Sequence, residues 1–271
     1  MMDTVGVLAT QRRERILAEV RAHGAARVAD LVEALGVSDM TVRRDIAELA
    51  REGLVRRVHG GAVAPDTPSR STDEPGFEAK RTWSSAQKTA VARAALADVE
   101  PGQALALSAG TTTWVLATMI AADPTLRPLT VVTNGLRVAD ALHGADDVEV
   151  VLTGGTRTPS DALVGPVADA TLADLRVDRT FLGVHGLDAD GPTTPNLAEA
   201  ATDRALVRCA AATTVLADHT KWGTVGLARI CGFDEIDTLV VDTGLADDAR
   251  AHLAAAVDRL VLARPTPGDP Q

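Results

Sequence analysis

Residues 36–61 read Gly36-Val37-Ser38-Asp39-Met40-Thr41-Val42-Arg43-Arg44-Asp45-Ile46-Ala47-Glu48-Leu49-Ala50-Arg51-Glu52-Gly53-Leu54-Val55-Arg56-Arg57-Val58-His59-Gly60-Gly61. Ser38 stands where a helix N-cap belongs, and Val42, Ile46 and Leu49 follow at helical spacing. This predicts a helix from about Asp39 to Glu52, stopped at Gly53. A short strand over Leu54–Val58 should follow, then a turn at His59–Gly61 and a possible returning strand at Ala62–Val63. Gly36 falls at the C′ position of a preceding helix, where a left-handed backbone is cheap only without a Cβ.

Working outward, Val28, Leu31, Val32 and Leu35 form the buried stripe of a helix over Val28–Leu35. Ile16, Leu17 and Val20 do the same for a helix over Gln11–Ala22, ended by Gly24. Two helices joined by a short Gly-containing turn make a helix-turn-helix, whose second helix enters the major groove. The outward positions near the start of that helix are Asp39, Met40, Thr41, Arg43 and Arg44. Arg43 or Arg44 suits a bidentate contact to guanine. Ser38 and Thr41 suit phosphate or thymine-methyl contacts. On the basic wing, Arg56, Arg57 and His59 complete the expected DNA-contacting set, with the arginines suited to phosphates or the adjacent minor groove.

A net charge of −10 argues at first against a nucleic-acid partner. Its distribution removes the objection. Residues 1–64 carry 10 Arg against 9 acidic residues, and the remainder carries 17 basic against 28 acidic residues. The acidity therefore belongs to the C-terminal part, which need not face DNA. Between the two parts, Pro65–Gly76 (PDTPSRSTDEPG) has no apolar periodicity and reads as a linker. The expected organisation is a DNA-binding domain over 1–64, a linker over 65–76 and a second domain over 77–271.

The hydrophobic fraction of 46% is that of an ordinary globular chain. With 2% aromatic residues, the core must be built from Ala, Val, Leu and Ile. No stretch approaches the ~18 continuous apolar residues of a membrane span, and the N-terminus does not read as a signal peptide. A cytoplasmic protein without membrane contact is expected. Cys209 and Cys231 lie at no metal-ligand spacing and read as buried thiols in a reducing compartment. Neither metal nor cofactor is expected.

After the linker, a helix is predicted over Phe77–Ala97. Apolar runs then alternate with helical patterns. Strands are predicted at Ala104–Leu107, Leu129–Val132, Val148–Leu152, Arg179–Leu182, Thr214–Leu216, Thr238–Val241 and Leu260–Leu262. Helices are predicted near Thr112–Ala121, Leu136–Leu142, Val167–Leu175, Ala198–Ala211 and Asp247–Ala256. Such alternation implies an α/β domain with a largely parallel sheet. Several loops at the carboxyl ends of its strands are polar or glycine-rich. Ser108-Ala109-Gly110-Thr111-Thr112-Thr113 joins a strand to a helix N-terminus, an arrangement suited to phosphate. Thr133-Asn134-Gly135, Gly154-Gly155 and Asp218-His219-Thr220-Lys221-Trp222-Gly223 follow other strands. In open α/β sheets that edge is where ligands bind. Lys221 is one of only three lysines (with Lys80 and Lys88) among 27 basic residues, a hint that a compact ammonium is wanted there.

These motifs together resemble the DeoR family of bacterial transcriptional regulators. The N-terminal resemblance rests on Gln11-Arg12-Arg13, Leu35-Gly36-Val37-Ser38, Thr41-Val42-Arg43-Arg44-Asp45-Ile46 and Arg57-Val58-His59-Gly60-Gly61-Ala62. In the C-terminal part it rests on Gly110-Thr111-Thr112, Thr133-Asn134, Gly154-Gly155 with Gly165, Phe181-Leu182-Gly183 with Gly186, Glu199, and Asp218 with Lys221-Trp222-Gly223. The resemblance implies a winged helix-turn-helix followed by a sensor domain similar to ribose-5-phosphate isomerase. It implies repression of carbohydrate-metabolism genes, relieved by a phosphorylated sugar, with a homo-oligomer (dimer or tetramer) on a double-stranded operator. The implied effector site comprises Ser108, Gly110, Thr111, Thr112, Thr113, Thr133, Asn134, Gly154, Gly155, Glu199, Arg204, Asp218 and Lys221. Two positions depart from the family pattern. Ser108 replaces an acidic residue, and Asp203 replaces a lysine, with Arg204 next to it as a substitute cation. Two alternatives stay open: a sugar-phosphate isomerase-like enzyme, and a regulator whose second domain only oligomerises.

Overall fold

The computed structural model describes residues 9–23, 25–58, 61–64, 69–70, 77–81 and 83–269. The chain divides into two compact units, Met1–Ser69 and Arg70–Gln271.

The first unit contains α1 (Ala9–His23), β1 (Ala25–Arg27), α2 (Val28–Leu35), α3 (Asp39–Arg51), β2 (Arg56–Val58) and β3 (Gly61–Val63). Its core joins Ile16 and Val20 of α1, Leu31 and Leu35 of α2, and Val42, Ile46 and Leu49 of α3. These are the stripes read from the sequence. Gly36 has φ +64, so α2 ends there without Cβ strain. Ser38 caps α3, its side chain accepting from the Thr41 amide. The wing has a strand that the sequence reading missed. β1 pairs antiparallel with β3, giving the order β1-β3-β2. Ala25-Ala26-Arg27 has no β-forming composition; its pairing with β3 is a tertiary effect. A two-residue strand β4 (Ser69–Arg70) lies at the division between the units.

The second unit opens with α4 (Phe77–Arg81) and α5 (Ser85–Leu96). The single helix predicted over Phe77–Ala97 is thus broken. Ser84 adopts φ 50 and starts α5 afresh. Next come β5 (Ala104–Leu107), α6 (Thr111–Ala122), β6 (Leu129–Thr133), α7 (Leu136–Leu142) and β7 (Val148–Leu152). A small hairpin, β8 (Thr156–Arg157) and β9 (Leu163–Val164), precedes α8 (Pro166–Ala173) and β10 (Val177–Gly183). The chain continues through β11 (Gly186–Asp188), β12 (Gly191–Thr194), α9 (Leu197–Cys209), β13 (Ala210–Ala217), β14 (Thr224–Val225), β15 (Ala228–Arg229), β16 (Thr238–Asp242), α10 (Asp247–Ala256) and β17 (Arg259–Ala263).

Seven strands form one parallel sheet in the order β17-β16-β13-β10-β5-β6-β7. Alternate side chains of β5 go to opposite faces. Leu105 and Leu107 pack with Leu116 and Ile120 of α6 and Val91 of α5. Ala106 packs with Leu172 of α8 and Leu206 of α9. Helices therefore cover both faces, and the strands are apolar on both sides as a buried parallel sheet requires. β11, β12 and β15 form a separate antiparallel sheet that period-counting did not reveal. Cys209 and Cys231 are free and buried; burial pushes the Cys231 thiol up to about 12.

The strand order fixes where a ligand can sit. From β5 the chain winds outward through β6 and β7. It then returns to the other side of β5 at β10 and winds outward again through β13, β16 and β17. β5 and β10 are thus the switch point, and the loops leaving their carboxyl ends diverge to opposite faces.

Candidate functional site

In the first unit, the recognition-helix candidates share one exposed end of α3. Ser38, Arg43 and Arg44 are exposed and Thr41 is half-exposed. The Ser38 and Thr41 hydroxyls lie 2.9 Å apart, so the cap and the adjacent hydroxyl form one polar corner. Arg43 forms an ion pair with Asp39 one turn earlier, Nη2 donating at 3.2 Å. Met40 is 76% exposed on the same end, an apolar contact available to a thymine methyl. Arg56 is half-buried. The backbone of Arg57 lies in β2, and His59 falls outside the described residues.

In the second unit, a cleft lies over the switch point. Gly110, Thr111 and Thr112 line it from the start of α6, and Gly183, Val184 and His185 from the end of β10. The N-cap of α6 is Gly110, which offers no side chain to the first turn. The amides of that turn have no intrahelical acceptor by construction and carry the positive end of the helix dipole. Thr111 and Thr112 line the cleft and are themselves buried, so this turn lies in a water-poor position.

Neighbouring loops brace this turn. Asn134 Oδ1 accepts from the Ala109 amide at 2.8 Å, and its Nδ2 donates to the Leu163 carbonyl at 3.2 Å. Thr133 Oγ1 donates to the Leu107 carbonyl and accepts from the Gly135 amide. Ser108 Oγ accepts from the Gly183 amide at 2.9 Å, tying the end of β5 to the end of β10 across the switch point.

Lys221 enters from a single helical turn, His219–Lys221. Asp218 caps that turn, accepting from the Thr220 amide and hydroxyl. His219 anchors it: its amide and Nδ1 both meet the Asp242 carboxylate, at 2.7 and 2.8 Å. The hydrogen bond to Asp242 raises the pKa of His219. Burial acts to raise that of Asp242, but the bonds from His219 hold it below the usual carboxylate range.

Carboxylates also line the cleft. Glu199 and Asp203, one turn apart on α9, both line it. Glu199 Oε1 accepts from the Thr158 hydroxyl at 2.7 Å.

Gly110, Thr111, Thr112, Asn134, Glu199 and Lys221 of the sequence-derived effector set therefore share one cleft. The remaining members do not line it, and each has a structural reason. Ser108, Thr113 and Thr133 are fully buried with their hydroxyls spent on backbone groups. Asp218 is a turn cap. Arg204 donates to the Arg229 carbonyl, so it does not replace the lysine expected at Asp203. Gly154 and Gly155 serve the β8–β9 hairpin: a Cβ on Gly155 would stand 2.6 Å from the Val164 carbonyl oxygen. Sequence reasoning missed Phe77, Lys80, Ser160, His185 and Thr194 in the lining. For Lys80 a signal existed, its rarity as a lysine, but it sat inside a predicted continuous helix.

Residues 12–68 match the DeoR-like helix-turn-helix domain, and residues 83–243 match the DeoR C terminal sensor domain. The chain belongs to the DeoR family. Similar DeoR-family proteins include the HTH-type transcriptional regulator GlpR of Haloferax volcanii, 36% identical over 92% of this chain and 96% of that protein. The glycerol-3-phosphate regulon repressor of Escherichia coli is 32% identical over 86% of this chain and 90% of that protein. The lactose phosphotransferase system repressor of Staphylococcus aureus is 33% identical over 86% and 91%. Among solved structures, the translation initiation factor eIF-2B of Pyrococcus horikoshii is similar with a TM-score of 0.43 and 10% identity, over 85% of this chain and 86% of that one. A ribose-5-phosphate isomerase bound to phospho-erythronic acid gives 0.39 and 15% identity, over 50% and 52%. Among the described residues of this DeoR-family chain, no group of His, Cys, Asp and Glu is placed to hold a metal ion. No helix there is long and apolar enough to cross a membrane.

Proposed function

We propose that this DeoR-family chain is a transcriptional repressor of carbohydrate-metabolism genes, released from its operator when a phosphorylated sugar enters the switch-point cleft. The carrying observation is that one cleft is lined both by the first turn of α6 with Lys221 and by the carboxylates of Glu199 and Asp203. The open first turn of α6 and the Lys221 ammonium suit a phosphate. Glu199 and Asp203 suit the hydroxyl donors of a polyol chain. The names of the glycerol-3-phosphate and lactose phosphotransferase system repressors agree with a phosphorylated carbohydrate signal. On the DNA side, Ser38, Thr41, Arg43 and Arg44 read the major groove, with Arg56, Arg57 and His59 on the wing. A homo-oligomer in the cytoplasm would place two such units on half-sites about one helical turn apart or multiples of it.

The test is fluorescence anisotropy of the intact protein on a labelled fragment of its own upstream DNA at fixed salt, because phosphate contacts make affinity salt-dependent. Sugar phosphates and their unphosphorylated parents are titrated in. Release by a phosphate ester and not by its parent supports the reading. Specific binding that neither set alters removes the effector part of it. Turnover of a pentose phosphate would instead favour an enzyme.

A further inference from the structure

All three lysines of this arginine-rich chain converge on the same cleft. Lys80 and Lys221 line it. Lys88 lies behind them, 3% exposed, with its Nζ donating to the backbone carbonyl of Lys80. Lys80 sits on α4, a helix of five residues and too short to hold its shape alone. Tertiary contacts therefore fix it. The Phe77 ring meets Trp114 of α6 edge-on at 5.9 Å, and the Arg137 guanidinium lies 5.4 Å from the centre of the same ring. Lys88 holds the carbonyl end. Lys80 Nζ donates to Ser160 Oγ at 3.1 Å, joining α4 to the turn between β8 and β9. Ser160 also lines the cleft.

The aromatic contacts bury Phe77, and the Lys88 bond holds the Lys80 carbonyl. The Lys80–Ser160 bond sets the Lys80 ammonium in the wall of a cleft suited to an anion, which Lys221 also lines. A charged oxygen is the stronger acceptor for an ammonium. We infer that Lys80 is an effector-binding residue: an anion on the first turn of α6 draws in the Lys80 ammonium together with that of Lys221, and so tightens α4 against the cleft. The inference rests on the phosphate reading of the cleft. Its consequence is regulatory. α4 follows directly, along the chain, the segment that connects the sensor unit to the DNA-binding unit. Occupancy is thereby registered where the connecting segment is attached, which gives the two states a differential contact with the ligand.

The experiment uses the full-length protein and inorganic phosphate. Phosphate affinity is measured by calorimetry for the wild type, Lys80→Gln and Lys80→Arg, and backbone hydrogen exchange over 77–81 is followed with and without phosphate. Melting of each variant without phosphate checks that the half-exposed position tolerates the change. The expected result is a loss of about tenfold in phosphate affinity for Lys80→Gln, as for a lost hydrogen bond to a charged group, with recovery in Lys80→Arg. Exchange in α4 should slow on phosphate addition in the wild type and in Lys80→Arg, but not in Lys80→Gln. Equal phosphate affinity in wild type and Lys80→Gln would overturn this inference and leave the cleft as a phosphate site. Binding lost in Lys80→Gln without any change of α4 exchange in the wild type would overturn the tightening. No phosphate binding to the wild type would overturn both the cleft reading and the inference.

Discussion

Arg12 of α1 donates Nε–H to Asp45 of α3 at 2.8 Å, with Nη2 reaching the second carboxylate oxygen at 3.4 Å. Both side chains are largely withdrawn from water. The pair stands at the back of the recognition helix, on the turn that also carries Val42 and Ile46 inward. In the run Thr41-Val42-Arg43-Arg44-Asp45-Ile46, the charged residues thus divide into an outward pair and one inward carboxylate. Asp45 orients α3 against α1; it does not face a DNA groove.

Removing Asp45 takes from the largely buried Arg12 guanidinium the carboxylate it meets on α3, and breaking a buried pair in this way costs about 3–5 kcal/mol. That is a large share of the stability of a small domain. Asp45→Ala should therefore unfold the N-terminal unit well below the temperature at which the sensor unit melts, and abolish operator binding. Phosphate binding by the sensor unit should persist. Calorimetric melting reads this directly; a variant that melts as the wild type does would show that the pair is energetically a surface contact.

Arg43 is exposed and braced by Asp39. If it reads a guanine, Arg43→Ala should cost ~1–3 kcal/mol of discrimination between operator and unrelated DNA. The slope of affinity against salt should hardly change. A phosphate contact would behave oppositely, weakening all DNA alike and lowering the slope by about one. Anisotropy on specific and scrambled duplexes at several salt concentrations separates the two.

The His219–Asp242 pair predicts a pH dependence whose sign follows from the shifts. His219 titrates above its ordinary 6.5 in the folded chain because Asp242 holds its protonated form. Its contribution is fully present below 6.5 and is lost as pH rises through the raised folded value. Asp242, lowered from 3.8, acts in the other direction only in acid, its contribution fading as pH falls through the depressed value. As pH rises above 6.5 and through the raised folded value, this pair's contribution to the sensor unit should fade, and the turn carrying Lys221 should loosen with it. His219→Gln should flatten the melting profile over that range. A wild-type profile with no such fall would remove the imidazolium from the account.

Most of the architecture was legible because the stripes of α1–α3 and the apolar strands of the sheet are periodic over enough residues to be unambiguous. What escaped the sequence was set by tertiary contact. Ser84 breaks a helical pattern through a left-handed backbone that no glycine announces. β1 is a strand only because β3 lies beside it. The site was half legible for a related reason. A hydroxyl in a loop at a strand end looks the same whether it serves a ligand, as the position of Thr111 allows, or pins two strands together, as Ser108 does. The lining residue Ser160 comes from a hairpin whose fold over the sheet edge has no periodic signature.

Lys88 offers a proton count as a test of the cleft. Its burial lowers its pKa from 10.5 to about 8, Asp218 opposing that shift and Lys221 and Lys80 adding to it. Between 8 and 10.5 the unfolded chain binds more protons at this position than the folded one, so stability should rise with pH over that window. An anion in the cleft shields Lys88 from the two neighbouring ammoniums and raises its pKa again. At pH 8, where Lys88 is close to half protonated, anion binding should take up as much as about half a proton. Sulfate suits the measurement because it does not itself titrate in this range. Calorimetric titrations in buffers of different ionisation enthalpy should then give heats that differ in proportion to the buffer's own. Lys88→Met should still bind sulfate, more weakly, but with heats independent of the buffer. Buffer-independent heats in the wild type would mean that the anion lies too far from Lys88 to be felt. Binding at the first turn of α6 would then have to be reassigned.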